Sequence, residues 1–442
     1  MNTSSAPVVA SQRAASVDIL RGIALCGILF MNIIAFGRYE AEYMNPAAAG
    51  PLEGANLWAW LATFVFADMK FISIFSMLFG AGLVLMGDRI EQREGATGFA
   101  GVYYRRVAWL LLFGMLHAWL LWHGDILVSY ALCGFVLYPL RKLPARVLII
   151  IGASALVIPV LIFVGLGALV TAFDNSAQIR DIIAAQNRGE AITPEQQAML
   201  TMSASQGEWY LTQQSMNEQR AAMTGSWLDI FWERAKLNLF MQVLMIPMWS
   251  FWRCGGLMLI GMAMMKSGVF TAARSTRFYG LLVTIGLAAG LPLTLLAAWD
   301  GYRDGFTQGR YLLASFNLNY VGSIGMALAY VGVVILLYRA SILRENSLRG
   351  RSFAAMGRMA FTNYLMQTLI CTTLFYGYGL GYFAAWERWQ LVTMVVPAVL
   401  LVQLIYSPLW LSRFRMGPAE WLWRSLTYLR AQRMVEVAGA RT

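Results

Sequence analysis

"RRVAWLLLFGMLHAWLLWHGDILVSYAL", Arg105 to Leu132, contains two apolar runs separated only by Trp122-His123-Gly124-Asp125. Helices joined by so short a turn pack as an antiparallel hairpin. The runs are too apolar for a water-facing surface, so the hairpin belongs in a bilayer. It carries His117 and His123, the only 2 histidines of the 442-residue chain. His117 stands about 16 Å along the helix from Arg106. That depth lies past mid-membrane, toward the side on which the turn sits. Asp125 is placed to cap the second helix. One hairpin turn from His117, it is also a candidate to orient the imidazole and stabilise its charged form. His123, in the turn, is expected to be exposed.

The rest of the chain has the same character. It is 59% hydrophobic and 13% charged, against about 25% charged in an ordinary soluble domain. Apolar runs near the roughly 20 residues needed to cross a bilayer place ten spans at 17–36, 58–87, 104–122, 125–141, 146–173, 238–265, 278–298, 313–338, 357–378 and 389–412. Pro247 lies inside a longer run, 228–268, and either bends one crossing or divides it. The fold class is therefore an all-α polytopic membrane protein. It divides into a five-span bundle (1–173), a polar loop (174–227), a second bundle (228–412) and an interfacial helix with tail (413–442).

The net charge of +11 does not imply a nucleic-acid partner, because the charge is parcelled between spans. Arg89, Arg93, Arg105 and Arg106 follow the second span. Arg141, Lys142 and Arg146 follow the fourth, Lys266, Arg274 and Arg277 the sixth. Arg339, Arg344, Arg349 and Arg351 follow the eighth, and Arg413, Arg415, Arg424, Arg430 and Arg433 the tenth. Odd spans lead to loops poorer in Lys and Arg. Such bias sets orientation, so both termini are expected in the cytoplasm. Asp18 and Arg21 inside the first apolar segment argue for a retained span rather than a cleaved leader. The loop 174–227 suits either a cap over a site or a tolerated insertion, with a helix after Thr193-Pro194-Glu195.

Ionisable and amide side chains within spans are costly and are functional candidates by default. Asp18 and Arg21 share a helix face and can pair; Asn32 returns to within about 40° of that face. They form either a cavity-lining stripe or a structural ion pair with an interhelical amide. In the second span Lys70 shares a face with Ser73, whereas a regular helix points Asp68 elsewhere. In the ninth, Asn363 and Gln367 share a face, either lining a cavity or bonding a neighbouring helix. The C-terminal stretch 417–428 reads as an amphipathic interfacial helix, with Pro418 in its first turn and Glu420 at its positive end. The 4 cysteines form no CxxC or Cys/His cluster, so neither a metal site nor a disulfide framework is indicated. P-loop, HExxH and GxSxG motifs are lacking.

Several long stretches, "SVDILRGIALCGILFMNI" (16–33), "FSMLFGAGL" (75–83), the hairpin above, "GRMAFTNYLMQT" (357–368) and "GPAEWLWRSLTY" (417–428), together resemble the YeiB family of bacterial inner-membrane proteins. The resemblance spans nearly the whole chain and implies a multi-pass protein of the bacterial inner membrane. The first span, at Asp18, Arg21 and Asn32, is also similar to that of the heparan-glucosaminide acetyltransferases. Those enzymes carry an acetyl group from cytosolic acetyl-CoA to a glycan amine, using a histidine soon after the first span. This chain has no histidine there, and that role is not carried over.

Two functions follow from the residues. The first is transmembrane acyl transfer. His117 is the general base with Asp125, and Asn32 or Asn363 stabilises the oxyanion. Arg21, Arg105, Arg106 and Arg358 hold the phosphates of an acyl-CoA donor. The acceptor is a small molecule or a glycan- or lipid-linked group, and no cofactor is permanently bound. The second is transport or flipping of a small polar or lipid-linked solute, with Asp18, Lys70 and His117 coupling to protons and Asn363 and Gln367 lining the route.

Overall fold

The computed structural model describes residues 6–173, 175–205 and 209–435. Among them every regular element is helical. The helices are α1 (Ala6–Gly37), α2 (Ala41–Met44), α3 (Gly54–Phe66), α4 (Lys70–Leu116), α5 (Leu127–Leu137), α6 (Ala145–Ala172), α7 (Ser176–Asn187), α8 (Pro194–Ser205), α9 (Gln213–Met223) and α10 (Trp227–Phe240). There follow α11 (Phe251–Lys266), α12 (Thr276–Arg303), α13 (Gln308–Arg310), α14 (Phe316–Arg339), α15 (Leu348–Arg358), α16 (Ala360–Phe375), α17 (Arg388–Gln390), α18 (Val396–Leu411) and α19 (Pro418–Tyr428). Wide π-type turns occupy His117–Leu121, Met241–Ser250, Tyr311–Ser315 and Leu391–Val395. The protein is thus an all-α polytopic membrane protein.

Among the described residues, 7 helical segments are long and apolar enough to span a bilayer: Ala15–Gly37, Gly54–Gly87, Ala145–Ala172, Trp227–Lys266, Thr276–Arg303, Gln308–Arg339 and Arg388–Leu411. The other three expected spans are helical but shorter or joined to neighbours: the last part of α4 with its π turn, α5, and α16. Pro247 does not divide its run. The backbone stays helical from α10 to α11 through the π-type segment that contains it, which relieves the lost amide bond by widening the turn.

Helical hydrogen bonding is continuous through α4, yet its axis folds back. A straight helix would separate Ser76 from Tyr103 by about 40 Å. Instead the Ser76 hydroxyl lies 2.8 Å from that of Tyr130, and the Tyr103 hydroxyl donates to Gly134 O at 2.9 Å. Tyr130 and Gly134 are one turn apart on α5, so the two halves of α4 run side by side. The side chains of Arg89 and Arg93 lie outside the described residues.

Helix α1 is the central post: 67% of its spanning window is buried, against 28% for α6 and α12. Those outer helices turn Ile150, Leu161, Leu169 and Ile285 outward, as a lipid-facing surface requires. Glycines let central helices meet backbone to backbone. A Cβ on Gly80 would sit 2.0 Å from Met258 O, and one on Gly261 1.9 Å from Met77 O.

The loops sort into two ends. At one, Ser16 bonds Phe270 O, Lys266 bonds Leu143 O, and Arg358 bonds Arg415 O. These are the basic segments. At the other, Asn45 Nδ2 donates to Trp209 O, Trp209 Nε1 to Phe306 O, and Gly377 N to Met223 O. The polar stretch after α6 therefore folds onto the tips of α1, α12 and α16. Its helix α8 begins at Pro194 with Thr193 Oγ1 accepting from Gln196 N, as the sequence suggested; residues 174 and 206–208, like 436–442, lie outside the described residues.

Candidate functional site

The hairpin positions His117. At the top of α4 the helix widens into His117–Leu121, then the chain turns and Asp125 accepts from Val128 N at 2.8 Å, capping α5. That cap holds Asp125 Oδ2. Its Oδ1 lies 2.8 Å from His117 Nδ1. On the other side of the ring, Nε2 lies 2.9 Å from Thr368 Oγ1 of α16. His117 and Asp125 side chains are each 1% exposed. With Nδ1–H donating to the carboxylate, Nε2 is left with a lone pair, and the Thr368 hydroxyl donates to it. The result is a buried carboxylate–imidazole–hydroxyl chain. Tyr364, one turn before Thr368, places its ring 5.0 Å from the imidazole and its hydroxyl beside Asp125. Trp122 closes a third side, edge-on to His117 and stacked on Phe36 of α1 at 4.0 Å. Asn32 precedes Phe36 by one turn and is part-exposed.

His123 is not exposed as expected. It is 5% exposed, and its Nε2 lies 2.9 Å from Glu40 Oε2. The segment after α1 folds over the hairpin turn and supplies the carboxylate.

Asn363 and Gln367 point away from His117. Asn363 Nδ2 donates to Ser407 Oγ at 3.0 Å and Gln367 Nε2 to Gln403 Oε1 at 2.9 Å, while Gln403 Nε2 returns to Asn363 O. This is an interhelical ladder between α16 and α18, the packing use of amides.

Lys70 belongs to a second buried cluster. Its ammonium donates to Phe64 O and Asn319 Oδ1, each 2.7 Å away, and Asn319 Nδ2 donates to Asp68 Oδ2 at 2.7 Å. Asp68 was placed on a different face from Lys70 by regular helix geometry. The structure joins both to Asn319 because Met69 takes the left-handed conformation (φ 61°) and breaks the second span between α3 and α4. Arg253 adds bonds to Ser73 and Ser323 at 2.8 Å each.

Asp18 and Arg21 pair at 2.8 Å. Arg21, Arg105, Arg106 and Arg358 all gather at the basic end around α19. Arg106 stacks on Trp423 at 3.7 Å, and Trp423 Nε1 donates to Arg106 O. Arg105 Nε donates to Thr427 O, and Arg358 to Arg415 O beside the start of α19. Glu420 reaches across from α19 to a neighbouring helix. Its Oε1 accepts from Phe361 N at 2.7 Å and from Thr362 N at 3.1 Å, so it caps α16, the helix that carries Thr368.

Burial pushes the Glu420 carboxyl up, partly opposed by hydrogen bonds from Thr362. The docked state then binds a proton more tightly than a released α19. Its contribution to docking is full below about 4.5 and is lost as pH rises through the docked-state value. Hydrogen exchange of α19 amides, corrected for intrinsic rate, should therefore speed up with rising pH, and Glu420→Gln should flatten the trend.

Among the described residues, no group of three or more His, Cys, Asp or Glu side chains could hold a metal ion. The chemistry available is proton transfer at His117 and anion binding at the arginines.

These features define a helical, multi-span membrane protein with a buried carboxylate–imidazole–hydroxyl chain. Residues 264–430 match the family described as "Protein of unknown function (DUF418)". The chain is 32% identical to "Uncharacterized protein YeiB" of Escherichia coli (strain K12), covering 94% of this chain and 96% of that one. It is 34% identical to "Uncharacterized protein YxaH" of Bacillus subtilis (strain 168), covering 96% of each. It belongs to the YeiB family. No solved structure matches it.

Proposed function

We propose that this protein transfers an acyl group across the bacterial inner membrane, from a cytosolic thioester to an acceptor at the opposite face. The observation that carries this reading is the Asp125–His117–Thr368 chain, buried at the non-basic end. His117 Nε2 takes the proton of an acceptor hydroxyl or amine as that group attacks the thioester carbonyl. The tetrahedral intermediate collapses, the C–S bond breaks, and the imidazolium returns the proton to the thiolate. The products are the acylated acceptor and free CoA-SH. Asp125 keeps the proton on Nδ1 and stabilises the imidazolium. Thr368 satisfies Nε2 at rest and gives way to the acceptor. The basic end faces the cytoplasm, by its Lys/Arg excess, and the arginines around α19 bind the donor's phosphates.

The test is direct. Full-length protein in nanodiscs is incubated with radiolabelled acetyl-CoA or palmitoyl-CoA, and CoA-SH release and label transfer to inner-membrane lipid and periplasmic glycan fractions are followed. Binding of the thioester with release of CoA-SH is expected. Absence of both overturns the reading.

Translocation of a small polar or lipid-linked solute is favoured by a different observation, the helix break at Met69 that sets Asp68 and Lys70 in the interior. Discontinuous spans with buried charge mark transport sites. pH-dependent solute flux in proteoliposomes, without CoA-SH release, would select it.

A further inference from the structure

A second site lies at the non-basic end, on the other side of α1 from His117. A cavity enclosing about 20 Å³ of water-accessible space is lined by Tyr43, Trp60, Thr63, Asp68, Phe306 and Tyr311. That is room for one oxygen-sized group and little more. Asp68 is 7% exposed, and one of its oxygens is already taken by Asn319. Tyr311, 7% exposed, sits inside, while Tyr43 stands at the mouth, 39% exposed. Among the described residues neither phenol has a hydrogen-bond partner, although Asp68 is the charged group that acts most strongly on both. Two phenol donors and a carboxylate acceptor thus face one small gap without touching.

The rim chemistry selects the occupant. A carboxylate or phosphate would be repelled by Asp68 and has no proton to donate to it. An ammonium could donate to Asp68 but could not accept from the phenols, and Lys70 and Arg253 already act on Asp68 from behind. A hydroxyl does both: it donates to the carboxylate and accepts from a phenol. Arg388 also lines the cavity, but it is 4% exposed, its Nη2 donates to Glu42 O at 2.9 Å, and the Glu42 carboxylate 3.7 Å away meets its charge. Trp60, Phe64 and Phe306 supply apolar walls, as in binding sites where a few polar groups fix orientation. We infer that this cavity seats one hydroxyl of a carbohydrate that enters from the non-basic face past Tyr43.

None of Asp125, His117 or Thr368 lines the cavity, so the inference stands or falls apart from acyl transfer. Saturation-transfer NMR on the full chain in nanodiscs, with methyl glucoside, methylammonium and acetate as separate probes, tests it. Saturation of the glucoside alone is expected. The combined Tyr43→Phe and Tyr311→Phe variant should bind it about tenfold more weakly. Each change removes an oxygen that bonds no described residue, so the thermal midpoint should stay unchanged. Asp68→Asn, which retains a partner for Asn319, should weaken binding as well. Saturation of methylammonium or acetate instead, of no probe (a cavity holding only water), or of the glucoside equally in wild type and variants overturns the inference.

Discussion

Alanine at position 117 will cut acyl transfer by about 10²–10⁴-fold while leaving acyl-CoA bound. The imidazole Nε2 is the atom of the buried chain proposed to take the acceptor's proton, and the arginines proposed to hold the donor lie at the basic end of the molecule, around α19. Binding and chemistry are therefore separable. Asp125→Asn should be nearly as severe, on the order of 10³–10⁴-fold. An amide can donate to Nδ1, which drives the imidazole proton to Nε2 and removes the base. Asparagine can still cap α5 at Val128 N, so the fold should survive. Thr368→Val distinguishes a resting partner from a participant. If Thr368 only satisfies Nε2 between turnovers, the variant retains rate to within about tenfold; a loss as large as that of His117→Ala would make the hydroxyl an acyl carrier. Single-turnover kinetics alongside equilibrium acyl-CoA binding measure all four proteins. Weak binding with normal single-turnover rate in His117→Ala would show that the residue is structural.

Hydropathy carries the fold class, because a chain this apolar has few soluble alternatives. The hairpin reads clearly too: a four-residue turn between apolar runs leaves only one way to pack; it makes Asp125 a candidate partner for His117, and the contact itself is settled only by the folded turn. Thr368 was not singled out. A threonine on an apolar helix is weakly marked, since it can bond its own backbone, whereas the neighbouring Asn363 and Gln367 stand out and turn out to pair with α18. Which face of α16 meets α4 depends on where α18 lies, and that is long-range information. The Asp68–Lys70 cluster escaped for a local reason. Face assignment assumes an unbroken 3.6-residue period, and one left-handed residue, Met69, resets it. No feature of a methionine announces that conformation, which costs about 1–2 kcal/mol for a residue with a Cβ and is held here by the packing around it. The burial of His123 was likewise set by a remote segment, the one bearing Glu40.

Valine at position 261 will destabilise the protein by about 3 kcal/mol or more, the upper end of what overpacking costs. Gly261 of α11 and Gly80 of α4 face each other's helices in reciprocal contact, and the atoms that an added Cβ would meet, Met77 O at 1.9 Å and Met258 O at 2.0 Å, are backbone. A flexible side chain could swing aside; a carbonyl inside a helix cannot move without dragging its turn. The helices must separate, and the polar groups between them separate too. Arg253, on α11 two turns before Gly261, bonds Ser73 of α4 and Ser323 of α14, and parting the helices leaves its guanidinium short of acceptors where water is scarce. Gly82, two residues from Gly80, would meet nothing within 4 Å, so Gly82→Ala is the matched control and should be neutral or slightly stabilising through helix propensity. Thermal unfolding in detergent, followed by tryptophan fluorescence, compares the two. A Gly261→Val midpoint equal to that of Gly82→Ala would mean that the α4–α11 contact is looser than these distances state. If the contact is as tight as they state, Gly261→Val should also disturb the cavity at Asp68, because Ser73 lies one turn from Lys70 and Arg253 acts on the Asp68 carboxylate.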